Sequence, residues 1–186
     1  LGRFFRQDIS NFNDGSFLKP EDNLLKKSKK QLSKLGGKIN IGISWKSFKN
    51  RYSNEKSLML KDFLGFFDNT DYNIINLQYG NVDNEVKEFN KEFKKNLIKI
   101  KNLDLFNDFD NLAATLKNLD LFISVSNSTS HLAGALGVKT LLIRPDNHAL
   151  FHYWNHDGTK TPWYKSVILL NKDDIKNKKF FSKYLN

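Results

Sequence analysis

Leu119-Asp120-Leu121-Phe122-Ile123-Ser124-Val125 runs directly into Ser126-Asn127-Ser128-Thr129-Ser130-His131, and then into Leu132-Ala133-Gly134-Ala135-Leu136-Gly137. The first segment has the length and composition of a strand buried on both faces. The last is a helix of small residues that Gly137 stops. Between them lies a cluster of hydroxyl and amide side chains. A strand, a polar turn and a helix N-terminus in this order aim unpaired backbone N–H groups and the positive end of a helix dipole at one spot. Ser126, Asn127, Ser128, Thr129, Ser130 and His131 all offer hydrogen-bond donors there, and none carries a negative charge. The spot suits an anion such as phosphate. An ordinary N-cap at Asn127 or Ser128 would account for one of these residues, not for the whole cluster.

Outward from this unit, strands and helices alternate. Pro20 opens a helical pattern with Glu21 and Asp22 first, Leu24, Leu25, Leu32 and Leu35 on one side, lysines late, and Gly36-Gly37 after it. That is the polarity of a capped helix. Strands are expected at Ile39–Trp45, Tyr72–Gln78, Leu97–Ile100, Leu119–Val125, Lys139–Ile143 and Val167–Leu170. Helices are expected at Leu58–Phe67, Val82–Phe93, Phe109–Leu116, Thr129–Leu136 and Asp173–Tyr184. About six strands separated by helices with short links predict an α/β fold, a doubly wound parallel sheet with helices on both faces. Residues 1–18 show no period and read as an arm or linker, leaving 19–186 as one Rossmann-like domain. The start of the chain lacks the apolar stretch of a signal peptide and is not a Met, so the chain is expected to be a piece of something longer.

Composition narrows the chemistry. Without cysteine there are no disulfides, thiolate nucleophiles or cysteine zinc sites, and four scattered histidines give no metal-ligand spacing. No apolar run approaches the roughly 20 residues of a membrane span, and a cytoplasmic location is expected. The net charge of +10 favours anionic partners. Its lysines are dispersed among Asn, Asp and Glu, as on a solvated surface, and no nucleic acid is expected.

In open parallel sheets ligands sit beyond the carboxyl ends of the strands. Those ends are Ser44-Trp45-Lys46, Gln78-Tyr79-Gly80, Leu103-Asp104, Ser124-Val125-Ser126 and Arg144-Pro145-Asp146. Lys46, Lys49, Arg51 and Lys56 follow the first strand as a possible diphosphate clamp, Lys56 standing directly before the next helix. Exposure to solvent alone would explain at least half of these cations. Gly80 permits close approach to the backbone, Tyr79 offers a stacking face, and Glu85 lies just beyond; a turn glycine and a surface tyrosine are the plainer reading. Asp108 and Asp110 fit a helix N-cap better than a catalytic carboxylate pair. No Walker or G-x-G-x-x-G loop is present.

Gly42-Ile43-Ser44-Trp45-Lys46, Leu77-Gln78-Tyr79-Gly80, Asp120 to Ser126, Ala133-Gly134-Ala135-Leu136-Gly137 and Pro162-Trp163-Tyr164 occur in order. Over roughly residues 17 to 170 the chain resembles the C-terminal, donor-binding half of GT-B glycosyltransferases of the heptosyltransferase-like group, as found attached to tetratricopeptide repeats in bacteria. The resemblance implies inverting, metal-independent transfer of a hexosyl or heptosyl unit from a nucleotide diphosphate-sugar, with no further cofactor. It implies that Ser128, Thr129 and His131 contact the diphosphate and that Lys56 stabilises the departing charge. Lys56 and His131 are thus its catalytic candidates. Gln78, Tyr79 and Glu85 would lie near the base and ribose, and Trp154 and Trp163 in bordering loops. The acceptor (glycan, lipid or protein) would be held by an N-terminal half that these 186 residues lack. Ser126 stands where the family usually has Asp, and Asn127 where it has Thr or Ser. A non-catalytic nucleotide- or anion-binding module is the alternative, and a basic nucleic-acid-binding domain a more remote one.

Overall fold

The computed structural model describes residues 2–12, 15–36, 38–48, 53–68, 71–145, 152–154, 158–176 and 184. Lys49, Arg51, Gly37, Asp146 and residues 177–183 of the expected C-terminal helix lie outside the described residues. All six expected strands form: β1 Ile39–Ser44, β2 Tyr72–Asn76, β3 Ile98–Lys99, β4 Leu121–Val125, β5 Thr140–Ile143 and β6 Val167–Leu170. They pair in the order β3-β2-β1-β4-β5-β6, every neighbour parallel. The helices are α1 Gly2–Phe5, α2 Asp22–Ser33, α3 Ser53–Lys56, α4 Asp83–Phe93, α5 Phe109–Lys117 and α6 Ser128–Ala135. The expected α/β class is what the chain adopts.

Alternation along the strands loads both faces. Ile74 of β2 and Leu121 and Ile123 of β4 face a core with Leu60, Phe63, Val82 and Phe89. Ile75 and Phe122 face the other way, onto Leu32 of α2, Leu112 and Leu116 of α5 and Ala133 of α6. Every residue of β4 is therefore buried, as the continuous apolar run requires of a central parallel strand. At its entry, Asp120 accepts a bond from the Asn40 amide at 2.7 Å, aligning β4 with β1. Gly42 is closely packed: a Cβ there would lie 2.6 Å from Leu119 Cδ1 and 2.8 Å from Leu77 Cδ1, so both leucine side chains would have to shift.

Two expectations are corrected. The segment expected as a helix from Asp173 begins as a 3₁₀ turn, Lys172–Lys176. Leu58–Phe67 is not an α-helix but a 3₁₀ segment, Leu60–Asp68. Asp62 accepts from the Met59 amide at 2.9 Å, and Leu60 and Phe63, three residues apart, enter the core together. A three-residue repeat eclipses such a pair, and Gly65 inside the segment lowers its α-propensity. The short helix α3, which carries Lys56, has too few residues to show a period in the sequence.

The described residues of the expected arm, 2–12 and 15–18, include several that pack beside α6 and the loop after it. The amides of Phe17 and Leu18 both donate to the Ala135 carbonyl, at 3.0 and 3.1 Å. Phe12 meets Trp163 edge-on, Phe17 stacks on Tyr164, and the Arg6 guanidinium lies 4.7 Å from the Trp163 ring centre.

Candidate functional site

The strand order reverses between β1 and β4, and the crevice at their carboxyl ends is the site the topology offers. Polar residues from three strand ends converge there. Gln78, buried after β2, accepts with a single Oε1 from the amides of Trp45 (2.7 Å) and Lys46 (2.6 Å) and the Ser44 hydroxyl (3.1 Å). Its Nε2 donates to the carbonyls of Lys46 and Tyr79. Asn127 crosses the crevice from the other side: its Nδ2 donates to Ser44 Oγ at 2.8 Å and to the Lys46 carbonyl at 3.3 Å. The loop leaving β1 is thereby pinned between β2 and β4.

Asn127 is also the N-cap of α6. Its Oδ1 accepts from the Ser130 amide at 3.0 Å, and its own amide donates to Ser130 Oγ, a reciprocal capping box. Two of the helix's orphan amides are satisfied this way. Those of Ser128 and Thr129 have no capping partner among the described residues. Ser126 Oγ accepts from the Trp154 indole N–H at 3.1 Å, so it too is engaged within the protein. Of the hydroxyl cluster, only Ser128 has an exposed side chain.

His131, in the first turns of α6, is set among rings. Trp154 lies across it at 4.8 Å, Tyr153 meets it edge-on at 4.9 Å, and its Nδ1 is 3.1 Å from the Tyr164 hydroxyl. Tyr164 reaches that position by lying on Gly134, where a Cβ would come within 2.5 Å of the ring. Burial, aided by the nearby charge of His152, pushes the His131 pKa down from 6.5 to about 4. Between those two values the unfolded chain binds a proton that the folded chain refuses, so stability falls as pH drops through that window. The loss is expected to be on the order of 2 kcal/mol, allowing for a ring edge still open to solvent. Acid unfolding of His131→Gln should lack this component; equal pH slopes in wild type and variant would contradict the burial.

Lys56 is buried at the end of α3. That segment is tied to the exit of β1 by the Leu58 amide on the Trp45 carbonyl (2.8 Å) and the Ser47 amide on Ser57 Oγ (3.1 Å). Glu85, in the first turn of α4, accepts from the Trp45 indole at 3.1 Å and from Lys46 Nζ at 2.6 Å. Lys46 is thus held by a carboxylate. Trp45 itself is wholly buried.

Beside this crevice, at the carboxyl ends of β2 and β3, opens a cleft of about 500 Å³ lined in part by Tyr79, Gly80, Val82, Asp104 and Phe106. Gly80 has φ +88°, and a Cβ on it would strike the Phe48 ring at 2.5 Å. Asp104 accepts from the amides of Phe106 and Asn107 and from the Asn107 side chain, which lowers its pKa and folds the cleft's rim. Asp108 caps α5 through the Asn111 amide at 3.0 Å. Sequence reading brings Gln78, Tyr79, Glu85 and residues 126–131 to this edge. It missed Ser44 and Tyr164. Ser44 stands in the quoted Gly42-Ile43-Ser44-Trp45-Lys46 strand end without a role assigned to it, and Tyr164 closes the quoted Pro162-Trp163-Tyr164 triplet.

No family model matches the chain. Over 156 residues it is 31% identical to Protein FlbA of Caulobacter vibrioides, covering 82% of this chain and 25% of that protein. Three solved structures share its architecture. A glycosyl transferase family 9 protein from Veillonella parvula superimposes with a TM-score of 0.62 at 16% identity, over 87% of this chain and 44% of that one. The E. coli ADP-heptose lps heptosyltransferase II gives 0.59 at 9% identity, over 95% and 56%. The E. coli heptosyltransferase WaaC with ADP gives 0.54 at 13% identity, over 84% and 48%. The chain spans a quarter of the curated relative and about half of each structure. Its six-stranded parallel sheet, with helices on both faces, has the fold of one half of these GT-B glycosyltransferase structures.

Proposed function

We propose that this domain binds the donor of a glycosyl transfer, a nucleotide diphosphate-sugar, in the crevice at the N-terminus of α6. The observation that carries this reading is the pair of amides, Ser128 and Thr129, that have no capping partner among the described residues and stand within one turn of His131, beside the sheet's switch point. The shared architecture with heptosyltransferases, one of them solved with ADP, supports it. In the proposed reaction an acceptor hydroxyl attacks the anomeric carbon with inversion. The bond from that carbon to the diphosphate breaks, and the hydroxyl proton passes to a base on the acceptor half. The nucleoside diphosphate then leaves into the α6 amides, His131 and Lys56, which stabilise its growing charge. Tyr79 lines the cleft proposed for ribose and base, and Glu85 acts through Trp45 and Lys46, which it holds beside it. Gln78, Asn127, Ser126 and Ser130 act through the loops they hold.

Micromolar binding needs about 8 kcal/mol. Charge-assisted hydrogen bonds of about 1.5–3 kcal/mol each, plus packing of the base, would supply it. The mechanism needs no metal, and among the described residues no group of three His, Asp or Glu side chains is placed to hold one. No described helix is long and apolar enough to cross a membrane. The proposal extends to a cytoplasmic setting, a hexosyl or heptosyl donor, an acceptor half supplied from outside these residues, and the tetratricopeptide-associated kind of enzyme.

A thermal-shift panel of UDP, GDP, ADP and CMP, with their sugars, tests the reading. One nucleotide class is expected to stabilise the chain, by about 2.7 kcal/mol at a hundredfold excess over Kd. Lys56→Ala and His131→Ala should each weaken that ligand tenfold or more. Absence of any selective stabiliser at millimolar concentration would overturn it, as would salt-steep binding to nucleic acid indifferent to nucleotide sugar. One observation favours binding without transfer: Ser126, where the resembled family carries a carboxylate, is engaged by Trp154. Donor hydrolysis or transfer by the full-length protein separates the two.

A further inference from the structure

We propose that Tyr164 is a positioning residue which fixes His131 in the Nε2–H tautomer, so that the imidazole turns a donor, rather than a lone pair, toward a bound diphosphate. This rests on the diphosphate reading above. Its geometric basis is independent of any ligand. The Tyr164 hydroxyl and His131 Nδ1 are 3.1 Å apart, and no other hydrogen bond is found for either group among the described residues. The groups facing the ring are Tyr153, Trp154 and Tyr164, with the His152 ring against Tyr153 at a tilt.

A neutral imidazole has one N–H and one lone pair, and the partner on one nitrogen decides which the other presents. Burial in this aromatic pocket holds His131 neutral. A phenol is a strong donor and a weak acceptor, because its oxygen lone pairs are drawn into the ring. The sp² imidazole nitrogen is a strong acceptor. The pair therefore settles with O–H donating to Nδ1, which leaves the proton on Nε2. With the opposite tautomer Nε2 would aim a lone pair at phosphate oxygens, which repel it.

The contact is built into the fold rather than incidental. Gly134, one turn along α6 from His131, has no side chain because the Tyr164 ring occupies that space. Phe17 from the N-terminal segment stacks on the same Tyr164 ring, with centroids 6.2 Å apart. Two sequence features far apart, the glycine in the small-residue helix and the tyrosine after Pro162-Trp163, are explained together by the placement of one hydroxyl.

The test is a two-bond ¹H–¹⁵N correlation spectrum of the ¹⁵N-histidine-labelled chain at pH 7 without ligand, followed by titration with inorganic pyrophosphate. Wild type is expected to show His131 as a single Nε2–H tautomer. Tyr164→Phe, which keeps the ring on Gly134, should leave the melting temperature nearly unchanged, give a tautomer mixture, and weaken pyrophosphate about five- to tenfold. An Nδ1–H signal in wild type overturns the proposal, and needs no variant to fold. So does an unaltered tautomer in Tyr164→Phe. A fixed Nε2–H tautomer in a protein that does not bind pyrophosphate overturns the diphosphate reading instead, and leaves the tyrosine's hold on the tautomer supported.

Discussion

Gln78→Leu is expected to cost about 3–5 kcal/mol of folding stability, even if Gln78 never touches a ligand. The side chain is 2% exposed, and its Oε1 serves the Trp45 and Lys46 amides and the Ser44 hydroxyl at once. Leucine fills similar space but accepts nothing. Two backbone N–H groups would be left without that acceptor, at about 1–3 kcal/mol each. The carbonyls of Lys46 and Tyr79 lose their Nε2 donor as well. Against a total stability of about 5–15 kcal/mol, such a loss brings the fold near its limit. Urea unfolding of wild type and variant measures it, and a change below 1 kcal/mol would show that the β1 loop does not depend on this residue. Gln78→Glu keeps an acceptor for both amides but sets a carboxylate against two carbonyl oxygens, so a smaller loss is expected.

Trp154→Ala should be comparably damaging, by about 3–5 kcal/mol. The indole is wholly buried and packs with Leu142, Val167 and Leu169 at the β5–β6 side of the sheet. It also donates to Ser126 and forms one wall of the His131 pocket. Truncation opens a cavity the size of an indole between the sheet and α6. The same change has a second readout. With that wall gone, water reaches the imidazole, and the His131 pKa should climb from about 4 back toward 6.5. Trp154→Phe restores most of the packing but not the hydrogen bond, and should recover most of the stability. A folded, fully stable Trp154→Ala with an unmoved His131 titration would contradict the packing described.

Both variants act on the junction of sheet and α6, and the sequence shows the parts of that junction without their connections. The run from Leu121 to Val125, the cap at Asn127 and the stop at Gly137 are local events. Hydrophobic period, cap chemistry and a left-handed glycine (φ +69° at Gly137) each act over a few residues and can be read in order. The same locality makes the six strands, their parallel pairing and the amides at the start of α6 legible. The 3₁₀ segment at Leu60–Asp68 escaped because an amphipathic pattern with Leu60 and Phe63 three apart suits either helix.

What a polar side chain does at a strand end was not legible. Gln78, Asn127 and Glu85 lie at the carboxyl edge of the sheet, and their bonds go to Trp45, Ser44 and Lys46, between 32 and 83 residues away in sequence. An amide that holds a loop and an amide that holds a ligand look the same in one dimension. Which of the two it becomes is decided by the space that chain crossover brings next to it. The sequence by itself determined the order of elements and the edge on which polar groups gather, since those follow from short-range periodicity. Only the tertiary structure decided that Gln78, Asn127 and Ser126 bond to their own protein, and that the Tyr164 hydroxyl, its ring resting on Gly134, meets His131 Nδ1. Hydrogen bonding is directional and spent within about 3 Å, and packing alone brings groups so far apart in the chain to that distance.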